Sequence, residues 1–226
     1  MKRGKKYRES VKKYDSAASF EVKEALALVK SMAYAKFDET VDLSVKVNLK
    51  KSQSVRDTVV LPHQFRTEKR VLVFCKPEKE KEAHDAGAAF VGADDLIEKV
   101  KGGWTDFDVA VATPDMMKDV GKLGMVLGRK GLMPNPKTGT VTFDLKGALA
   151  ELKKGRVEFR ADKTGVVHLA VGKVSMESDK VAENVQVVVS EIKRKRPADA
   201  KGDFIQTVSV ASTMGPGVWV SVKDEE

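Results

Sequence analysis

Between residues 21 and 35 the apolar side chains Val22, Ala25, Leu26, Val29 and Met32 recur at steps of three and four. That spacing lines one side of a helix and predicts an amphipathic helix lying on a core. The period then changes: Val41, Leu43, Val45 and Val47 alternate with Asp42, Ser44, Lys46 and Asn48. A period of two marks a strand with one wet face, which favours an antiparallel sheet. After about residue 67, continuous apolar runs at 71–75, 88–91 and 109–112 alternate with polar helical stretches beginning near Glu78, Asp94 and Asp115. Strands that are apolar on both faces belong in a parallel sheet covered by helices on either side. Alternation returns after about residue 155, with strand patterns at 157–160, 166–171, 204–212 and 218–222 and a helical one at 178–195. The two outer segments therefore read as one antiparallel-sheet domain, interrupted by a smaller domain of alternating strands and helices. Linkers fall near residues 65–69 and 155–158, and two chain crossings allow a hinge.

Charge changes this picture at one end. The first thirteen residues hold seven Lys or Arg against the single acid Glu9 and lack apolar periodicity, so they read as a basic arm rather than a core helix. Residues 1–70 carry +8 (17 basic against 9 acidic), 71–156 carry +1 (14 against 13) and 157–226 carry −1 (10 against 11). A net +8 and a pI near 9.4 favour a polyanionic partner, nucleic acid or an acidic membrane surface. With the arm alone at +6, the folded part of the split domain has to bind through placed residues rather than a broad basic field. A chain of 226 residues with 42% hydrophobic side chains is long enough to bury roughly 70% of its unfolded surface. The lone cysteine, Cys75, lies in an apolar run, which makes it a small core residue and points to a reducing compartment. No stretch of about 18 apolar residues and no signal-peptide pattern occurs, so the reading is cytoplasmic, with no membrane partner.

Catalytic chemistry finds little support. His63, His84 and His168 fall in different elements, without the spacing of a metal site. Glycines 121, 124, 128 and 131 match neither the dinucleotide fingerprint nor the phosphate loop. Asp94 and Asp95 open a helical pattern, where capping and the helix dipole account for them. The turns are more informative. Ser212-Thr213-Met214-Gly215-Pro216-Gly217 joins two strand patterns with residues small enough for amides and hydroxyls to approach a sugar-phosphate surface; a plain hairpin explains it equally. Lys36-Phe37 pairs a cation with a ring that either stacks on a partner or joins the core. Asp162-Lys163-Thr164-Gly165 is a tight turn suited to RNA backbone contacts or simply to solvent. The run Lys193 to Arg196 closes a helix, serving the carbonyl end or a phosphate.

Over nearly the whole chain these segments resemble the ribosomal protein family called L-one, the protein of the mobile stalk beside the exit site of the large subunit. The resemblance is carried by Ala35-Lys36-Phe37-Asp38-Glu39-Thr40, Leu61-Pro62-His63, Ala112-Thr113-Pro114-Asp115, Gly131-Leu132-Met133-Pro134-Asn135-Pro136-Lys137, Asp162-Lys163-Thr164-Gly165, Val171-Gly172-Lys173 and Ser212-Thr213-Met214-Gly215-Pro216. It implies an α+β protein of two domains. One is a split α/β-sandwich domain whose antiparallel sheet is formed by both chain ends (1–67 plus 158–226), holding the RNA site; it is interrupted by a Rossmann-like α/β domain (68–157) with no enzymatic role. Carried over position by position, contacts to large-subunit (23S) ribosomal RNA fall on Lys36, Phe37, Asp162, Lys163, Thr164, Lys173, Ser212, Thr213, Met214 and Gly215. In this scheme Thr213 and the Gly215 backbone bond sugars and phosphates, Met214 packs beneath them, and the lysines neutralise phosphates. The resemblance also implies release of transfer RNA from the exit site, repression of the chain's own operon messenger, a monomer within the ribosome and no cofactor.

Three departures from the family pattern stand out. Gln64-Phe65-Arg66 occupies the linker where many relatives place glycines, which implies a stiffer hinge. Asp57 stands where glycine is common, and the 48–55 loop is short, so no RNA contact is assigned between residues 48 and 57. Gly128-Arg129-Lys130 replaces the frequent Gly-Pro-Arg. Two other readings stay open: a DNA-binding repressor, which requires a base-reading helix, and an enzyme holding a nucleotide in the inserted domain, which requires a pocket with matched acid, base or metal groups.

Overall fold

A computed structural model describes residues 3–49, 55–65, 69–197 and 202–221. The chain divides into two compact units, Met1–Phe65 with Glu158–Glu226, and Arg66–Val157.

The first unit is built on a five-stranded sheet in the order β1 (Ser19–Phe20), β10 (Gly217–Val220), β9 (Ile205–Ser212), β2 (Thr40–Val47) and β8 (Val166–Lys173). β2 runs antiparallel to both β8 and β9, as its alternating pattern predicts, whereas the two-residue β1 joins the edge parallel to β10. Helix α2 (Val22–Met32) packs on β9 and β10, α8 (Ser178–Arg194) packs on β8, and the two helices pack on each other. The apolar stripe of α2 buries Ala25, Leu26, Val29 and Met32. Opposite it, β2 buries Val41, Leu43, Val45 and Val47 while Asp42, Ser44 and Lys46 keep access to water. A two-stranded sheet pairs β3 (Arg56–Val60) with β7 (Arg156–Arg160).

The expected basic arm is in part a helix: Lys5–Val11 form α1. Tertiary bonds hold it, not an apolar stripe. Ser10 is buried and its hydroxyl donates to the Met32 carbonyl at 3.2 Å, while Lys13 Nζ donates to the Ser31 carbonyl at 3.1 Å. Both occupy carbonyls that the C-terminal turn of α2 leaves without a helical partner. No periodicity in residues 1–13 could announce this, because the partners lie in another helix. Of the other expected ranges, residues 50–54 of the short loop, linker residues 66–68 and Val222 at the end of the last strand pattern lie outside the described residues.

The second unit holds a parallel sheet in the order β5 (Phe90–Gly92), β4 (Val71–Phe74), β6 (Val109–Ala112). Alternate residues of β4 serve two different cores, which is why its pattern is continuous. Leu72 and Phe74 meet Leu96 and Val100 of α4 (Asp94–Lys101), Val120 of α5 (Met117–Gly121) and Leu127 of α6 (Gly124–Leu127). Val71, Val73 and Cys75 meet Ala83 of α3 (Pro77–Asp85) and Leu145, Leu149 and Leu152 of α7 (Leu145–Lys153). The fold is the expected mixed α+β architecture. Among the described residues no helix is long and apolar enough to cross a membrane.

Candidate nucleic-acid interface

Register places the residues singled out in the sequence. Val41 at the start of β2 pairs with Ser212 and Gly172, so the ends of β9 and β8 and the loop entering β2 share one end of the sheet. Lys36, Phe37, Lys173 and the Ser212–Gly215 segment therefore come together there. At the other end of β2, Lys46 pairs with Val166 and Val47 N–H donates to the Gly165 carbonyl. Asp162, Lys163 and Thr164 belong to that far end. Val47 lies six positions beyond Val41, so the two groups stand about 20 Å apart along the strands. The ten residues form two clusters rather than one.

The larger cluster is organised by a residue that the sequence reading quoted but assigned no role. Glu39 is 1% exposed. Its Oε1 accepts the amides of Tyr34 at 3.1 Å and Ala35 at 2.8 Å, and its Oε2 accepts the amide of Met214 at 3.1 Å. Burial alone would raise its pKa, but the Ser212 hydroxyl and the Ala35, Met214 and Tyr34 amides outweigh that and hold it below the ordinary carboxylate value. The Ser212 hydroxyl is itself buried and finds no partner at good hydrogen-bond geometry, although it lies near enough to favour the charged carboxylate. Tyr34 Oη donates to the Met214 carbonyl at 2.7 Å, so both backbone groups of Met214 are tied to the loop before β2. A signal in the sequence existed: an acid inside a loop motif, immediately before the alternating pattern that becomes β2. Its partner lies 175 residues away, beyond any local pattern.

Thr213 is bound inward. Its Oγ1 accepts the Thr40 amide at 2.9 Å and donates to the Thr40 carbonyl at 3.2 Å, and its own amide donates to the same carbonyl at 3.0 Å. The hydroxyl that the sequence reading offers to RNA is thus already engaged in holding the turn onto β2. Among what the turn and loop present outward are two large apolar side chains: Phe37 is 57% exposed and Met214 49% exposed. Phe37 is not a core residue. Lys36 is exposed, while Lys173 is half-buried and paired with Asp38 at 3.8 Å. Asp38 in turn accepts the Ser175 amide at 3.1 Å and its hydroxyl at 2.8 Å, which fixes the α2–β2 loop from a second side.

At the far end, Asp162 closes its own turn. Its Oδ1 accepts the amides of Thr164 at 2.8 Å and Val166 at 2.9 Å and the Thr164 hydroxyl at 2.7 Å. The Val166 amide, followed by the Thr164 hydroxyl, holds its carboxyl below the ordinary value. Gly165 has φ +77°, and an added Cβ would stand 2.7 Å from the Val47 carbonyl, so glycine is required there. Lys163 is exposed and Lys46 donates to the Thr164 carbonyl. The basic run closing α8 is engaged within the fold: Arg194 pairs with Glu191 at 2.7 Å, Lys195 with Asp57, and Arg196 donates to the Gly202 carbonyl at 3.0 Å. Among the described residues no group of three or more His, Cys, Asp and Glu side chains is arranged to hold a metal ion.

A family profile described as the Ribosomal protein L1p/L10e family matches residues 29–216, a span that includes both clusters. The chain is 69% identical over 223 residues to the large ribosomal subunit protein uL1 of Treponema denticola, with 99% of each covered. It is 63% identical over 226 residues to the protein of that name in Treponema pallidum, with 100% of each covered. Against that of Leptospira biflexa it is 57% identical over 224 residues, covering 99% of this chain and 97% of the relative.

Proposed function

The chain belongs to the ribosomal protein L1p/L10e family, and from that membership we propose that it is a cytoplasmic constituent of the large ribosomal subunit that binds 23S ribosomal RNA at the mobile stalk. The observation that carries the RNA assignment is the exposure of Phe37 and Met214 on two segments tied to one buried carboxylate. A ring and a thioether held outward on a fixed backbone suit stacking and packing against unpaired bases and riboses. Lys36 and Lys173 stand in the same cluster to meet phosphates, which position the RNA without reading its sequence. Recognition by shape then exceeds recognition by base edges. The same surface serves, in this reading, for a segment of the chain's own operon messenger that mimics the ribosomal site, and thus for repression of its translation. Assistance to transfer RNA leaving the exit site completes the proposal, and family membership is its support.

Affinity for 23S ribosomal RNA at physiological salt, with small-subunit ribosomal RNA and duplex DNA as competitors, tests the assignment. The expected preference is about a thousandfold, the lower range of specific over non-specific nucleic-acid binding. Equal, salt-sensitive binding to all three would leave only a non-specific charge effect.

A further inference from the structure

Resting on that reading, we propose that Glu39 is the positioning residue of the RNA site: its buried carboxylate locks the Phe37 loop and the Met214 turn into one preformed surface. Glu39 is itself only 1% exposed. One oxygen holds the amides of Tyr34 and Ala35, just before Lys36 and Phe37, and the other holds the amide of Met214. Only a carboxylate accepts on both sides, because it has two acceptor oxygens and no donor. Tyr34 completes the lock by donating to the Met214 carbonyl. Thr213, bonded to Thr40 on both its backbone amide and its hydroxyl, keeps the turn seated on the adjoining strand. The two exposed apolar side chains come from segments 175 residues apart, and without the lock each would have to be ordered by the RNA itself. Preorganisation removes that cost from binding, and a surface competent only part of the time binds more weakly by that fraction.

Glu39→Gln separates the two halves of the lock. The amide oxygen can still accept from Tyr34 and Ala35, but its NH2 group would face the Met214 N–H, donor against donor. In the free full-length chain we expect the Met214 amide to lose protection from hydrogen exchange while strands β2 and β9 keep theirs. Affinity for 23S ribosomal RNA should fall by about tenfold to a hundredfold as the competent arrangement of the turn becomes a minor state. Met214→Ala should cost affinity in the parent chain and add almost nothing in the Glu39→Gln background, whereas general loosening would leave the Met214 increment intact. Unchanged Met214 exchange, or an undiminished Met214 increment, overturns the positioning role. If Glu39→Gln does not fold, Glu39→Asp decides by the same two readouts, since it keeps the charge but shortens the reach to the Met214 amide. Absence of any RNA preference in the parent chain would instead overturn the functional reading, and the exchange experiment, which needs no RNA, would still report on the lock.

Discussion

Gly215 shows how closely single side chains are fitted in the site. A Cβ placed there would stand 2.4 Å from the Ser212 hydroxyl, and Ser212 is buried at 3% exposure with little room to turn aside. Gly215→Ala should therefore destabilise the chain by about 1 to 3 kcal/mol, the usual cost of overpacking, read from the midpoint of urea unfolding. Adding Ser212→Ala removes the obstructing atom and should recover most of the loss; a double variant no better than the single one would mean that the turn fails for another reason. Gly217, whose Cβ would meet nothing within 4 Å, is the internal control and should tolerate alanine within about 0.5 kcal/mol. At this scale the sequence singled out the 212–217 turn for a general reason, small residues near a backbone surface. It could not reveal that the exposed Thr213 bonds Thr40 through its hydroxyl while the Met214 side chain stands in water, because the same string of residues is compatible with other arrangements.

Elements were legible where their local pattern and their final burial agree. α2 and β2 follow from period three-to-four and period two, and β4 from a run buried on both faces. α7 went unread although its signals were present: Asp144 caps it by accepting the Gly147 amide at 3.0 Å, and Leu145, Leu149 and Leu152 fall on one side. β1, two residues long, is too short to carry a period, and β3 does not alternate, its first three residues all being half-buried. One link within the first unit is decided by a buried amide in α8. Asn184 is 0% exposed; its Oδ1 accepts the His63 amide at 3.1 Å, and its Nδ2 donates to the carbonyls of His63 at 2.9 Å and Val171 at 2.8 Å. It clamps the chain leaving β3 onto the helix and onto β8. Asn184→Ala leaves those backbone groups without partners and should cost about 1 to 3 kcal/mol in urea unfolding. A loss below about 0.5 kcal/mol would show that water replaces the amide.

For the molecule as a whole, the separation of the two clusters is the consequence with most bearing on function. Since the Asp162–Gly165 turn and the Met214 turn lie at opposite ends of the same sheet, an RNA that meets both must extend about 20 Å along it. Lys163→Ala and Met214→Ala should then weaken 23S RNA binding additively, within about 0.5 kcal/mol, as distant sites do. They should also differ in kind. Loss of Lys163 should lower the slope of log affinity against log salt by roughly 0.7 to 0.9, one phosphate contact, whereas loss of Met214 should leave the slope alone. An unaltered slope for Lys163→Ala would remove the far turn from the interface and leave the Glu39-centred cluster as the whole site.

The sequence by itself determined the α+β class, the split of sheet styles between the chain ends and the middle, the family and the candidate turns. Each depends on which side of a helix or strand a residue occupies, or on short motifs, and both are written in near neighbours along the chain. Only the tertiary structure decided that the candidates form two clusters, that Glu39 bonds both segments of the larger one, and that the basic N-terminal stretch is partly helix. Those outcomes depend on strand register and on single hydrogen bonds between residues as far as 175 positions apart. Such a bond leaves no mark on either segment alone: a buried carboxylate and the amide it accepts are recognisable as partners only once the fold has brought them within 3.1 Å.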